Sequence, residues 1–230
     1  MPIQGILNTA RSLSFYTRKQ EVVANNLANA NSDAFKADRI MARAYPGATF
    51  PVPVQTIDLQ QGTFRETSRT LDVALSGPGF LVVHTADGDR LTRGGSLQLD
   101  PAGRLTDSHG DLVMGTDGPL VLQGTKVEIQ GDGTVLVDDS AVGRLQVVNP
   151  QDPGKLLKSG FGRYEARGAL QPADAAVTHV RQGAIEEANL DPLLSMVDLV
   201  TIQRSYAANI EAMHALDGVL GSVTNDVPKE

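Results

Sequence analysis

Cysteine is absent from all 230 residues, which excludes disulfides, thiolate metal sites and a cysteine nucleophile. Tryptophan is absent too, and aromatics make up only 4%, so a core has to be built from Leu, Val, Ile and Ala. No stretch approaches the roughly 20 apolar residues needed to cross a bilayer, and no membrane insertion is expected. Positive charge is in deficit: 20 Lys and Arg against 27 Asp and Glu give a net charge of −7. Without a basic run there is nothing to neutralise a phosphate backbone, so nucleic acid is not an expected partner. The N-terminus does not read as a secretory signal, because Arg11, Arg18 and Lys19 interrupt any apolar region.

Signs of chemistry are equally thin. His84, His109, His179 and His214 are scattered, with no pair at metal-ligand spacing, so no metal site is expected. Asp138-Asp139 and Glu186-Glu187 are adjacent carboxylates and read as solvated turn residues rather than as an acid beside a base. Asp87-Gly88-Asp89 lacks the later ligands of a calcium loop. No phosphate loop or serine-nucleophile motif occurs. The expectation is a protein that is not an enzyme and needs no cofactor.

What the chain does have is two long amphipathic stripes at its ends. Ile6, Thr9, Leu13, Tyr16, Gln20, Val23, Leu27 and Ala30 recur in steps of three and four, the roughly 3.5-residue period of a coiled-coil seam. Asn29, Asn31, Ser32 and Asp33 should end that helix, because short polar side chains compete for its backbone. Leu199, Ile202, Tyr206, Asn209, Met213, Leu216 and Leu220 repeat the same spacing near the other end. Asp191-Pro192 is a helix start of side-chain cap plus preset φ, and Gly221 a plausible stop.

The middle has a different texture. Short β-type runs at 80–83, 97–99, 112–114, 127–129, 135–137 and 145–148 alternate with glycine turns. Asp87-Gly88 is a hairpin signal, and Asp100-Pro101-Ala102-Gly103 and Gly131-Asp132-Gly133 are further turns. The predicted fold is mixed and mainly β: an antiparallel sandwich or open barrel in the centre, with long terminal helices that pair as a coiled coil. The expected divisions are an N-terminal helix over 1–35 and an extended connector over 36–70 containing Pro46, Pro51 and Pro53. A β-rich domain follows over 71–149, then an irregular connector over 150–184 and a C-terminal helix over 185–230. A narrow apolar stripe cannot be buried by one helix alone, so the ends must pair with each other, with neighbours, or with both. An open polymer, a closed coiled-coil oligomer displaying a β binding domain, and a β-sandwich hydrolase or sugar-binding domain all fit that outline.

Three stretches carry a resemblance. Residues 24–37 read ANNLANANSDAFKA, residues 72–83 with 91–115 read DVALSGPGFLVV and LTRGGSLQLDPAGRLTDSHGDLVMG, and residues 183–213 read GAIEEANLDPLLSMVDLVTIQRSYAANIEAM. In order and together, these are similar to the N-terminal, central and C-terminal motifs of the bacterial flagellar basal-body rod family, which includes rod, hook and hook-associated subunits. The short connector after Lys36 and the 142–166 stretch resemble the proximal rod type, with a distal rod or hook-type subunit as the alternative. Ser32-Asp33-Ala34 and Leu81 depart from the family pattern.

The resemblance implies a structural subunit of the rod, the axial drive shaft for motility. Its partners would be copies of itself, other rod proteins, the surrounding basal-body ring proteins and the flagellar type III export apparatus, through which it would pass without a cleaved signal peptide. It also assigns residues. An assembly interface would draw on Leu13, Val23, Asn25, Asn26, Leu27, Asn29, Phe35, Lys36, Leu199, Ile202, Gln203, Arg204, Tyr206, Asn209, Met213 and Leu216, and the central motif on Gly79, Phe80, Thr92, Arg93, Gly95, Asp100 and Gly103. The asparagine amides are expected to bond other helices.

Overall fold

The computed structural model describes residues 2–43 and 51–225. Pro46, counted above among the connector prolines, and residues 226–230 of the C-terminal segment lie outside the described residues. The chain divides into two compact units. A helical unit takes in Met1–Ala30, Asp38–Thr56 and Asp191–Glu230, and a β unit takes in Asn31–Ala37 and Ile57–Leu190.

In the helical unit, α1 spans Pro2–Ala28. It ends where the asparagine run begins. The Asn29 N–H is shared between the Asn25 and Asn26 carbonyls at 3.2 and 3.1 Å, and Ala30 N–H bonds Leu27 at 3.2 Å, the tightened last turn of a fraying helix. The second helix, α2, spans Pro192–Asn225. Asp191 caps it, its carboxylate accepting from the Leu193 N–H at 2.8 Å and the Leu194 N–H at 3.3 Å, with Pro192 first in the helix. Gly221 does not end α2 as expected: a glycine inside a helix costs about 1 kcal/mol, which does not stop a helix held elsewhere. The two helices lie against each other. Gly5 near the start of α1 faces Leu216 near the end of α2, where an added Cβ would come within 3.3 Å of the leucine side chain, so they run antiparallel. The strands Asp38–Arg43 and Val52–Ile57 form a two-stranded sheet.

The β unit is antiparallel in every pairing described. Its organising strand is Phe80–Thr85, which pairs with Gly88–Thr92 on one side. On the other it pairs with Val147–Pro150 at its start and Leu112–Gly115 at its end. Leu81 and Val83 enter one core cluster with Val73, Leu97, Leu105 and Val113. Phe80 and Val82 enter a second with Leu91, Leu156 and Tyr164. Burial on both faces explains why this run is apolar without alternation. Val127–Ile129, Thr134–Val137 and Ser140–Arg144 form a three-stranded meander. Two small sheets pair His179–Gln182 with Val73–Ser76 and Ala184–Glu186 with Phe64–Glu66. Among the described residues no sheet closes into a barrel.

Three expectations need correction. The hairpin expected at Asp87-Gly88 forms one residue earlier: Thr85 faces Gly88, the tip is Ala86-Asp87, and Gly88 with φ +98° opens the return strand. The stretch 150–184 is not irregular, since it carries Leu156–Lys158, Arg163–Ala166, Leu170–Pro172 and His179–Gln182. Nor is 36–70 only a connector, because three strands fall in it. The strands within 150–184 and Phe64–Glu66 are three or four residues long, too short to show a period, and Phe64–Glu66 and His179–Gln182 find their partners far away in the chain.

Candidate functional site

In the single chain, the helical seam residues do not share one environment. Ile202 is buried, while Leu13, Val23, Leu27, Leu199, Tyr206, Asn209, Met213 and Leu216 are half-buried. Asn25, Gln203 and Arg204 are exposed. The far side of α2 is apolar as well: Leu193, Leu194, Met196, Val197 and Val200 are between 47% and 68% exposed. Sequence reading had followed only the three-four stripe and passed over this second face, although its residues stand at neighbouring helical positions.

In the single chain, three of the asparagine amides expected to bond other helices also bond backbone groups of their own chain. Asn29 donates to the Asn25 carbonyl at 2.8 Å and Asn209 to the Ser205 carbonyl at 2.7 Å, each closing a bond within its own helix turn. Asn26 is buried and grips the backbone of one residue from both sides. Its amide nitrogen donates to the Asp38 carbonyl at 2.8 Å, and its amide oxygen accepts the Asp38 N–H at 2.9 Å. The side chain thereby mimics a strand partner and ties the first hairpin strand to α1. Asn26→Ala should leave a buried donor and acceptor unpaired and cost the helical unit about 1–3 kcal/mol. A thermal melt followed at helical wavelengths would measure it, and an unchanged melting temperature would contradict it.

Phe35 and Lys36, also expected at the assembly interface, lie inside the β unit. Lys158 sits with its ammonium 4.3 Å from the Phe35 ring centre and donates to the Lys36 carbonyl at 2.6 Å. The Lys36 side chain is fully buried. Its Nζ donates to Glu186 Oε1 at 2.5 Å and to the Gln60 carbonyl at 2.7 Å. Burial pushes the Lys36 pKa down, against the pull of the Glu186 carboxylate.

Glu186 is the residue that sequence reading missed. Taken with Glu187 as a solvated carboxylate, it is 1% exposed. Besides Lys36, its Oε1 accepts from the Gly62 N–H at 2.9 Å, and its Oε2 accepts from Arg93 Nε at 2.8 Å. Arg93 spends its remaining donors on the carbonyls of Gly77, Gly79 and Leu75 at 2.7–3.0 Å. No local signal marks Glu186, because its partners lie far away in the sequence.

The rest of the central motif is framework. Gly79, at φ +146°, brings the backbone beside Val147, and Phe80 packs edge-on against Tyr164 with ring centres 5.4 Å apart. Thr92 accepts from Gly94 N–H at 3.0 Å. Gly95 passes so close to Val73 that any Cβ would overlap the Val73 carbonyl oxygen. Asp100 accepts from the Ala102 and Arg104 N–H groups at 2.9 and 2.8 Å, and Gly103 takes φ +77° to close that turn. These bonds to the charged form hold the Asp100 carboxyl below its ordinary pKa. Among the described residues no group of three or more His, Asp or Glu is disposed to hold a metal ion, and no helix is long and apolar enough to cross a membrane.

Two family profiles match the chain. The one described as "Flagellar basal body rod FlgEFG protein C-terminal" covers residues 181–226, and "Flagellar hook protein FlgE/F/G D1 domain" covers residues 74–137. The chain is similar to flagellar basal-body rod protein FlgF of Escherichia coli, 32% identical over 88% of this chain and 90% of the relative. It is 30% identical to FlgF of Caulobacter vibrioides over 85% and 86% of the two chains. With flagellar basal-body rod protein FlgG of Bacillus subtilis the identity is 27%, over 97% and 98%. With matched segments falling on the β unit and on α2, and similarity running through nearly all of both chains, this chain belongs to the flagellar basal-body rod proteins, of the FlgF type, and is a structural subunit rather than an enzyme.

Proposed function

We propose that this rod subunit polymerises through its terminal helices, which pair as a coiled coil within the subunit and again with those of its neighbours. The observation that carries the reading is the second apolar face of α2. Leu193, Leu194, Met196, Val197 and Val200 are exposed in the single chain, while Ile202, Leu199, Met213 and Leu216 face inward. A helix apolar on two sides is suited to burial between two partners. Each such side chain contributes roughly 1.5–3 kcal/mol on full burial. In this reading Leu13, Val23, Leu27, Leu199, Ile202, Tyr206, Met213 and Leu216 pack the intramolecular seam, and Asn25, Gln203 and Arg204 lie on the rim that meets neighbours. Heterologous contacts of this kind build an open helical array. The helices do the assembling.

The family relationship further supports a position in the proximal rod, enclosed by basal-body ring proteins, and delivery through the flagellar type III export apparatus without processing. The double substitution Val197→Asp and Val200→Asp tests the assembly reading. It places two charges on the exposed face without touching the inward one. Swimming of cells carrying only this variant should be abolished, while the isolated protein keeps its thermal transition. Normal swimming would refute the reading. A discrete, concentration-independent trimer in sedimentation would support the closed coiled-coil oligomer instead.

A further inference from the structure

The β unit contains the two stretches by which the chain leaves α1 and enters α2, and they are fastened side by side. Ala34 N–H donates to the Glu186 carbonyl at 2.7 Å, and Asn189 N–H donates to the Phe35 carbonyl at 3.1 Å. The Asn189 side chain accepts the Ala37 N–H at 2.8 Å and donates to the carbonyls of Asp58 and Gln60 at 2.8 and 3.0 Å. Beneath these bonds lies the Glu186 carboxylate, shared by Lys36 from the first stretch and Arg93 from the central motif.

Charge counting makes Lys36 odd as a purely stabilising residue. Glu186 and Arg93 already neutralise each other, and a third buried charge leaves an excess of one cation. Removing a lysine from water costs several kcal/mol, and such a group is often matched in stability by an apolar residue of the same shape. Its place is better explained by what it connects than by what it adds to the fold. A lysine that reaches Glu186 from residue 36 admits one register between the two stretches, since a one-residue slip would strand the charge.

We infer that Lys36, Glu186 and Asn189 form a register lock: they are positioning residues for assembly, fixing the two root segments of the terminal helices to one anchor. The inference rests on the assembly reading above and deepens it. Full-length protein carrying Lys36→Met tests it, because Glu186 keeps Arg93 as its counter-charge and no buried charge is left unpaired. Amide hydrogen exchange in the monomer should accelerate at least about tenfold at Ala34 and Ala37, while the amides of Phe80–Thr85 change by less than about threefold. Asn189→Ala should do the same at Ala37. A role in general stability would instead move all protected amides by one common factor, and that result, or unchanged exchange at Ala34 and Ala37, overturns the lock. Cells carrying Lys36→Met should swim at least about tenfold less well, with the variant folded and present at normal levels. Normal swimming despite loosened roots overturns the role in assembly. The exchange arm is read on the monomer, so it stands or falls separately from the Val197 and Val200 test of polymerisation.

Discussion

Glu186→Gln is expected to lower the stability of the β unit by about 3–5 kcal/mol, the usual cost of removing one partner from a buried ion pair. The reason is the count of charges left behind. Lys36 and Arg93 are each at most 4% exposed, and without the carboxylate two cations would face a neutral amide in a site that water does not reach. Whole domains are stable by only about 5–15 kcal/mol, so the loss is a large fraction of the total. Lys36→Met should cost less than about 1 kcal/mol, because Glu186 retains Arg93 at 2.8 Å and Gly62 at 2.9 Å. The ordering of the two variants matters more than either value. Urea titrations of the full chain, read through exchange at Phe80–Thr85, provide it, and equal losses would show that the carboxylate is not the hub.

Among the described glycines, Gly95→Ala is expected to be the most damaging added methyl, at about 3 kcal/mol or more. Overpacking ordinarily costs 1–3 kcal/mol because side chains can give way. Here the obstacle is the Val73 carbonyl oxygen, and the same two residues are joined by the Val73 N–H donating to the Gly95 carbonyl at 2.9 Å. Backbone fixed by its own hydrogen bond cannot retreat without breaking it. Gly168→Ala is the control. Its Cβ would meet only the Lys155 side chain, at 4.0 Å, so its melting temperature should stay within a degree or so of the parent. A well-folded Gly95→Ala protein would mean that the two backbones lie farther apart than described.

The helices were legible in the sequence because their stripe is local: Leu199, Ile202, Tyr206, Asn209, Met213 and Leu216 are all turned at least partly inward, as the three-four spacing predicts. The cap at Asp191 was legible for the same reason. Phe80–Thr85 could be read as a strand but not as the one buried on both faces, since a short apolar run is silent about what covers it. The strands between 150 and 184 were missed because proline and glycine cut them to three or four residues each. Glu186 was misread outright. A carboxylate beside another carboxylate is usually solvated, and only the fold brings Lys36 to it across 150 residues of chain. The apolar far face of α2 was in plain view in the sequence, since Leu193, Met196, Val197 and Val200 stand at i, i+3, i+4 and i+7, but the three-four stripe beside it drew the reading to the other side.

The span between Lys36 and Glu186 has a consequence for the timing of folding. Contacts so distant in sequence close late and slowly, and a growing chain acquires its N-terminal end first. A polypeptide interrupted between residues 93 and 186 holds Lys36 and Arg93 without the carboxylate that pairs them, and the Ala34 N–H lacks its acceptor, the Glu186 carbonyl. The β unit therefore reaches its finished state only after residue 186 has been added, and a part-made subunit stays pliable until then.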